Sequence, residues 1–166
     1  MNMKLFQLFL VFMFAFYSTI NAQEVKAKRL KTNKTQEHVN VSGTNLFLKI
    51  PEGFEKSVTC SGWNNKTGSS IVISKRTKSL TDASDEIDQR LISSGYDIKS
   101  EQKKQVLLNG DEAIYFEIKN GTKEKVFLLI KVNNITFIVE GFCGESVKKN
   151  KSVKKAVLSA FIEKLN

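Results

Sequence analysis

Apolar and polar positions along this chain of 166 residues change their period several times, and the changes mark out its elements. The first apolar run, Leu5 to Tyr17, is broken only by Gln7 and follows the positive Lys4. A short polar exit from Ser18 to Ala22 comes next. That layout is a cleaved secretory signal, and its apolar stretch is short for a membrane span. No cysteine stands near the exit to carry a lipid anchor. Residues 1–22 are therefore expected to leave, and residues 23–43, "QEVKAKRLKTNKTQEHVNVSG", read as a flexible basic leader. They hold few large apolar side chains and keep no period.

From Thr44 the alternation becomes strand-like. In "NLFLKIP" the residues Leu46, Leu48 and Ile50 share one face, and Pro51 stops the run. "KSVTCSGW" and "SSIVISKR" predict two further strands around an "NNKTG" turn. Leu80, Ala83, Ile87 and Leu91 then recur at helical spacing. They predict a helix over 81–94 with Thr81 or Asp82 as N-cap and Gly95 as its stop. Asn109-Gly110 and Asn120-Gly121 are type I′ hairpin signals, with Asn133-Asn134 a weaker third. They separate "DIKSEQKKQVLL", "EAIYFEIK", "KVFLLIKV" and "ITFIVEGF". In the second of these runs Ile114, Phe116 and Ile118 share one face, opposite Tyr115 and Glu117. The last two runs are apolar on both faces, as strands covered on both sides are. A closing stripe of Val153, Ala156, Val157, Ala160, Phe161 and Leu165 predicts a helix over 152–165. The expectation is a single α+β domain over residues 44–166, a mostly antiparallel sheet with helices packed on it.

This order of elements resembles the PsbP-like fold, named for the extrinsic oxygen-evolving protein of photosystem II and found also in small bacterial periplasmic proteins. The residues that carry the resemblance are "FLKIPEGFEKS", "GW", the acidic-capped "LTDASDEIDQRL", "VLLNGDEAIYFEI", "FLLIKVNNITFIVEGFC" and "VKKAVLSAFI". It covers nearly all of the chain after residue 43. What the resemblance implies is an α/β/α sandwich acting as a non-enzymatic binding or assembly module, and no functional residue comes with it.

Charge changes the picture at the ends. The chain carries a net +9. Residues 44–145 hold equal numbers of acidic and basic side chains, so the excess sits in the leader and the tail. Lys148, Lys149, Lys151, Lys154 and Lys155 crowd the start of the last helix. They are candidates for an anion-binding cluster on lipid or acidic polysaccharide, set against a plain solvated face. Nucleic acid is not expected, because neither a recognition motif nor interleaved aromatics accompany the basic ends.

Candidate chemistry is sparse. "EGFCGES" sets Cys143 between two glycines, but the chain's single histidine, His38, lies in the leader as a poor partner for a nucleophile. Glu145 stands where a nucleophile elbow needs its last glycine. Two cysteines and one histidine fall short of a zinc set. In an exported chain the cysteines are expected to form one disulfide, Cys60 to Cys143, the alternative being two separate buried thiols. Asp82, Asp85, Glu86 and Asp88 read as helix N-terminal acids rather than cation ligands. Sequons occur at Asn33, Asn40, Asn65, Asn120, Asn134 and Asn150. The expected function is an exported, cofactor-free, non-enzymatic binding or assembly module with an unknown protein or envelope component as partner. The alternatives are surface attachment through the basic helix and a hydrolase whose carboxylates, such as Asp111 and Glu140, converge only in three dimensions.

Overall fold

The structure is a computed structural model and describes residues 28–99, 102–144 and 147–164, without the side chains of 147–149. The expected signal at 1–22 lies outside the described residues. The early strands are β1 (Lys28–Leu30), β2 (His38–Asn40), β3 (Leu46–Lys49), β4 (Glu55–Lys56), β5 (Gly62–Asn64) and β6 (Ser70–Arg76). Helix α1 (Leu80–Ser93) precedes β7 (Lys104–Leu108), β8 (Asp111–Asn120), β9 (Lys123–Val132) and β10 (Ile135–Cys143). Helix α2 (Val147–Leu158) and β11 (Phe161–Ile162) complete the order.

Eight strands make one sheet in the order β1-β7-β8-β9-β10-β6-β5-β4, and a small second sheet runs β11-β3-β2. All neighbours are antiparallel except the edge pair β1 and β7. The architecture is α+β, as the alternation of strands and helical stripes predicts.

Turn chemistry sets the register of the long hairpins. Asn109 and Gly110 both take positive φ, 52° and 94°, the type I′ pattern between Leu108 and Asp111. The next turn lies one residue further along than the sequence suggests. Asn120 pairs with Lys123, so the loop is Gly121-Thr122, with Gly121 at φ 59°. A positive φ at the first central position is the type II′ arrangement, which glycine adopts without strain.

Helix α1 begins at Ser79, whose Oγ accepts from the Asp82 amide at 3.1 Å. The cap is thus two residues ahead of the nearer expected position, because Ser79 has the extended backbone a capping hydroxyl needs. It ends in a Schellman turn. The Tyr96 amide reaches the Leu91 carbonyl at 3.0 Å and the Gly95 amide the Ile92 carbonyl at 2.9 Å.

The central strands are covered on both faces. On one, Ala83, Ile87 and Leu91 of α1 pack on Phe116, Ile118, Phe127, Leu129 and Ile138. On the other, Val153 and Val157 of α2 join Leu46, Leu48 and Ile162 of the small sheet over Val126, Leu128, Ile130 and Val139. Gly141 permits the close approach of α2. A Cβ there would lie 2.6 Å from Val153 Cγ1 and 2.9 Å from Val157 Cγ2.

Three expectations need correction. The leader is structured from Lys28 onward: β1 adds to the main sheet, β2 adds to β3, and Val41 is buried. Its lysines suit an edge, since charged side chains on an outer strand discourage further pairing. The last helix ends at Leu158, not 165, because Phe161 and Ile162 leave it to pair with Phe47 and Leu46. Within "KSVTCSGW" only its two ends are strand, as parts of Glu55–Lys56 and Gly62–Asn64, with a bend between them.

Candidate functional site

The cysteines are not bridged; both are free thiols. Cys60 is exposed on the bend before β5, and Cys143 is buried at the end of β10. Strand β6 lies between β5 and β10, and the register sets Cys143 level with Asn65, five residues along from Cys60, so the two sites are separated by more than the two strand spacings, about 10 Å, that divide their strands. A disulfide tolerates a Cα separation of only about 7 Å. The Cys143 thiol points toward the Asn150 carbonyl of α2, 3.9 Å away. Burial, with the Glu124 charge second, pushes it up to about 11, so it stays protonated near neutrality and is no nucleophile. The flanking glycines serve packing. Gly141 makes room for α2, and a Cβ on Gly144 would come within 2.8 Å of the Thr67 carbonyl.

The lysine cluster divides. The Lys148 and Lys149 side chains lie outside the described ones, and Lys151 and Lys155 are exposed. Lys154 turns toward the sheet instead. Its Nζ lies 2.7 Å from Glu117 Oε2 and 2.8 Å from Glu124 Oε1. The Glu124 side chain is only 5% exposed. Asn150 Nδ2 donates to Glu124 Oε2 at 3.4 Å, and Tyr115 Oη donates to Glu117. Burial works against the charge on Glu117, but Lys154 and Tyr115 outweigh it and hold the carboxyl below its ordinary value. Burial likewise opposes the Lys154 charge, and the two glutamates overcome it and raise the ammonium. Lys154 is therefore half-buried and paired with the sheet, unlike the exposed Lys151 and Lys155.

The other candidates do not converge. Asp111 pairs with Lys164 at 3.1 Å. Glu140 lies two strands away, held by Arg90 at 2.7 Å and Lys125 at 2.9 Å. Glu86 is taken by Arg76 and Lys78. His38 is fixed as a structural ring. The Thr35 amide donates to Nδ1 at 3.0 Å, so the ring proton sits on Nε2 and donates to the Ser159 carbonyl at 3.0 Å. A contact without a linear signal joins Ser84 Oγ to Lys103 Nζ at 2.5 Å. Its serine is buried under α1 and its lysine is paired with Asp88, which leaves no approach for a substrate. Among the described residues no group of three His, Cys, Asp or Glu could hold a metal, and no helix is long and apolar enough to cross a membrane.

A concavity lies elsewhere. A groove of about 690 Å³ runs between the β9–β10 hairpin tip and the loop joining β2 to β3. Val132, Ile135, Phe137 and Phe47 supply apolar surface, and Asn40, Asn45, Asn133, Asn134 and Thr44 supply polar groups. Its two charged residues are engaged: Lys75 Nζ reaches the Gly43 carbonyl at 3.4 Å, and Glu163 pairs with Lys34 at 2.8 Å. Sequence reasoning missed this groove. The signal available was the pair of sequons at Asn40 and Asn134, which mark polar, exposed positions that the fold brings to one rim.

Compared with protein-family models and with curated proteins, the chain matches none.

Proposed function

We propose that the protein is a non-enzymatic binding or assembly module that works outside the cytoplasm, built as a PsbP-like α/β/α sandwich, with the hairpin-mouth groove as its contact surface. A helix on either face of one antiparallel sheet supports the architecture. The signal-like residues 1–22 support the location. The groove itself carries the functional reading: it is open, mixed in polarity, and its only ionisable side chains, Lys75 and Glu163, already have partners. A lining of that kind suits recognition better than proton transfer, which calls for titratable groups with shifted pKa values in a cleft. Surface attachment by the basic helix is less well supported, because Lys154 is spent on Glu117 and Glu124.

The test is position-dependent photocrosslinking in envelope extract. A photoreactive side chain at Ile135, which is 37% exposed in the groove, should give discrete adducts. The same group at exposed Glu112, outside the groove, should give none. Equal labelling from both positions would remove the groove as the contact surface.

A further inference from the structure

The polar lining of the groove has a specific complement of donors and acceptors. Asn133 and Asn134 stand exposed at the hairpin tip, and neither side chain makes a hydrogen bond among the described residues. Each offers two N–H donors and one carbonyl acceptor. Across the groove, Asn40 Nδ2 is committed to the Thr44 and Leu46 carbonyls at 3.0 and 3.4 Å. Asn45 Nδ2 is committed to the Glu163 carbonyl at 2.8 Å. Those two carboxamides are held in place by their nitrogens, and their oxygens accept no hydrogen bond among the described residues.

We infer that the groove takes a neutral, polyhydroxylated ligand, a segment of an uncharged oligosaccharide chain. This rests on the reading of the groove as the contact surface and names its ligand class. Each sugar hydroxyl both donates and accepts. Neighbouring hydroxyls therefore suit two unused carboxamide oxygens on one wall and two complete carboxamides on the other. An anion finds no free cation among the described residues of the groove, since Lys75 is occupied at the Gly43 carbonyl and Glu163 adds a negative charge to the lining. An extended peptide finds little open backbone at the hairpin, because β9 is paired on both edges as far as Ile130 and β10 from Thr136 to Phe142, which leaves only the short tip between them. Ile135, Val132 and Phe47 provide the apolar surface on which the C–H face of a sugar ring rests. Lys34 caps the Phe47 ring from 3.8 Å and leaves Ile135 as the exposed part of that floor.

The experiment is a heteronuclear NMR titration of the protein with maltohexaose, cellohexaose, xylohexaose and chitohexaose, followed at the Asn side-chain amide signals. At least one should shift Asn133 and Asn134 with a Kd of about 1 mM or tighter. The double variant Asn133→Ala and Asn134→Ala should weaken that binding by at least about tenfold with an unchanged amide spectrum elsewhere. Shifts that are absent with all four sugars overturn the proposal. If a library of apolar peptides then shifts the same signals, the groove stands as the contact surface with a different ligand class. If neither sugars nor peptides do so, and crosslinking from Ile135 is also unselective, both readings fall.

Discussion

Beneath α1 the sheet presents Phe116, Ile118, Phe127, Leu129 and Ile138, with Phe116 and Phe127 stacked at 4.7 Å between centroids. Charges on that side are partly buried pairs, Lys103 with Asp88 and both Arg90 and Lys125 with Glu140. Beneath α2 the sheet is equally apolar at Val126, Leu128 and Val139, yet Glu124 is buried there and answered by Lys154 from the helix. The two faces are held by different rules. On the α1 face stability follows buried volume, and the single stripe of Ala83, Ile87 and Leu91 sets which side of the helix faces the sheet. On the α2 face Lys154 must meet Glu124 while Val153 and Val157 straddle Gly141, and a slip of one turn, about 5.4 Å, would strand a carboxylate in apolar surroundings.

Substitutions on the two faces separate these rules. The largest effect is expected from Phe127→Ala, which opens a cavity between stacked rings and should cost about 4 kcal/mol in urea unfolding. A loss below about 1 kcal/mol would mean the α1 face is far looser than described. Lys154→Met should cost about 3 kcal/mol, because it leaves Glu124 buried with the longer contacts to Lys119 at 3.6 Å and Asn150 at 3.4 Å in place of a close cation. Adding Glu124→Leu should recover most of that loss. A double variant no better than the single one would show that the lysine acts through packing alone. Gly141→Ala should cost about 2 kcal/mol by forcing α2 off the sheet, with no parallel on the α1 face. Ser79→Ala should remove about 1 kcal/mol by taking the cap from α1.

The faces should also part company with pH. Glu117 titrates below its ordinary 4.5 in the fold, so its stabilising contribution is present above that value and lost as pH falls through the folded one. Cys143 is raised from 9.0 to about 11. Its contribution is complete below pH 9.0 and fades as pH rises toward about 11. Lys154, raised above 10.5, behaves the same way at higher pH still. Unfolding midpoints should form a plateau between these limits, and Glu117→Gln should flatten the acid side. An acid limb unchanged in that variant would assign it to other carboxylates.

Much of the fold is legible along the chain because it rests on local signals. The stripe of Leu80, Ala83, Ile87 and Leu91, the Asn109-Gly110 turn and the two-faced apolar runs each act within about a dozen residues. What escapes depends on partners far away. Three residues at Lys28–Leu30 have no period of their own and become a strand only beside Val106 to Leu108. Phe161 fits a helical stripe equally well, and its pairing with Phe47 decides otherwise. Lys154 carries the same charge as Lys151 and Lys155, and only the position of Glu124 distinguishes it. The groove is the extreme case, since its asparagines come from two separate loops.

The first and last described segments are sewn to each other. Thr32 Oγ1 donates to the Ala160 carbonyl, Lys34 reaches Glu163, and His38 holds Ser159, with sequence separations of 128, 129 and 121 residues. A chain emerging from the ribosome thus makes its earliest strand long before its partners exist. β1 waits for β7, and its neighbouring loop waits for the final residues. Closing such long loops before any contact rewards them is the slow part of folding. The finished molecule is fastened where residues 32–38 meet residues 159–163, and a nascent or C-terminally shortened chain leaves residues 32–38 open to pulling, threading or proteolysis.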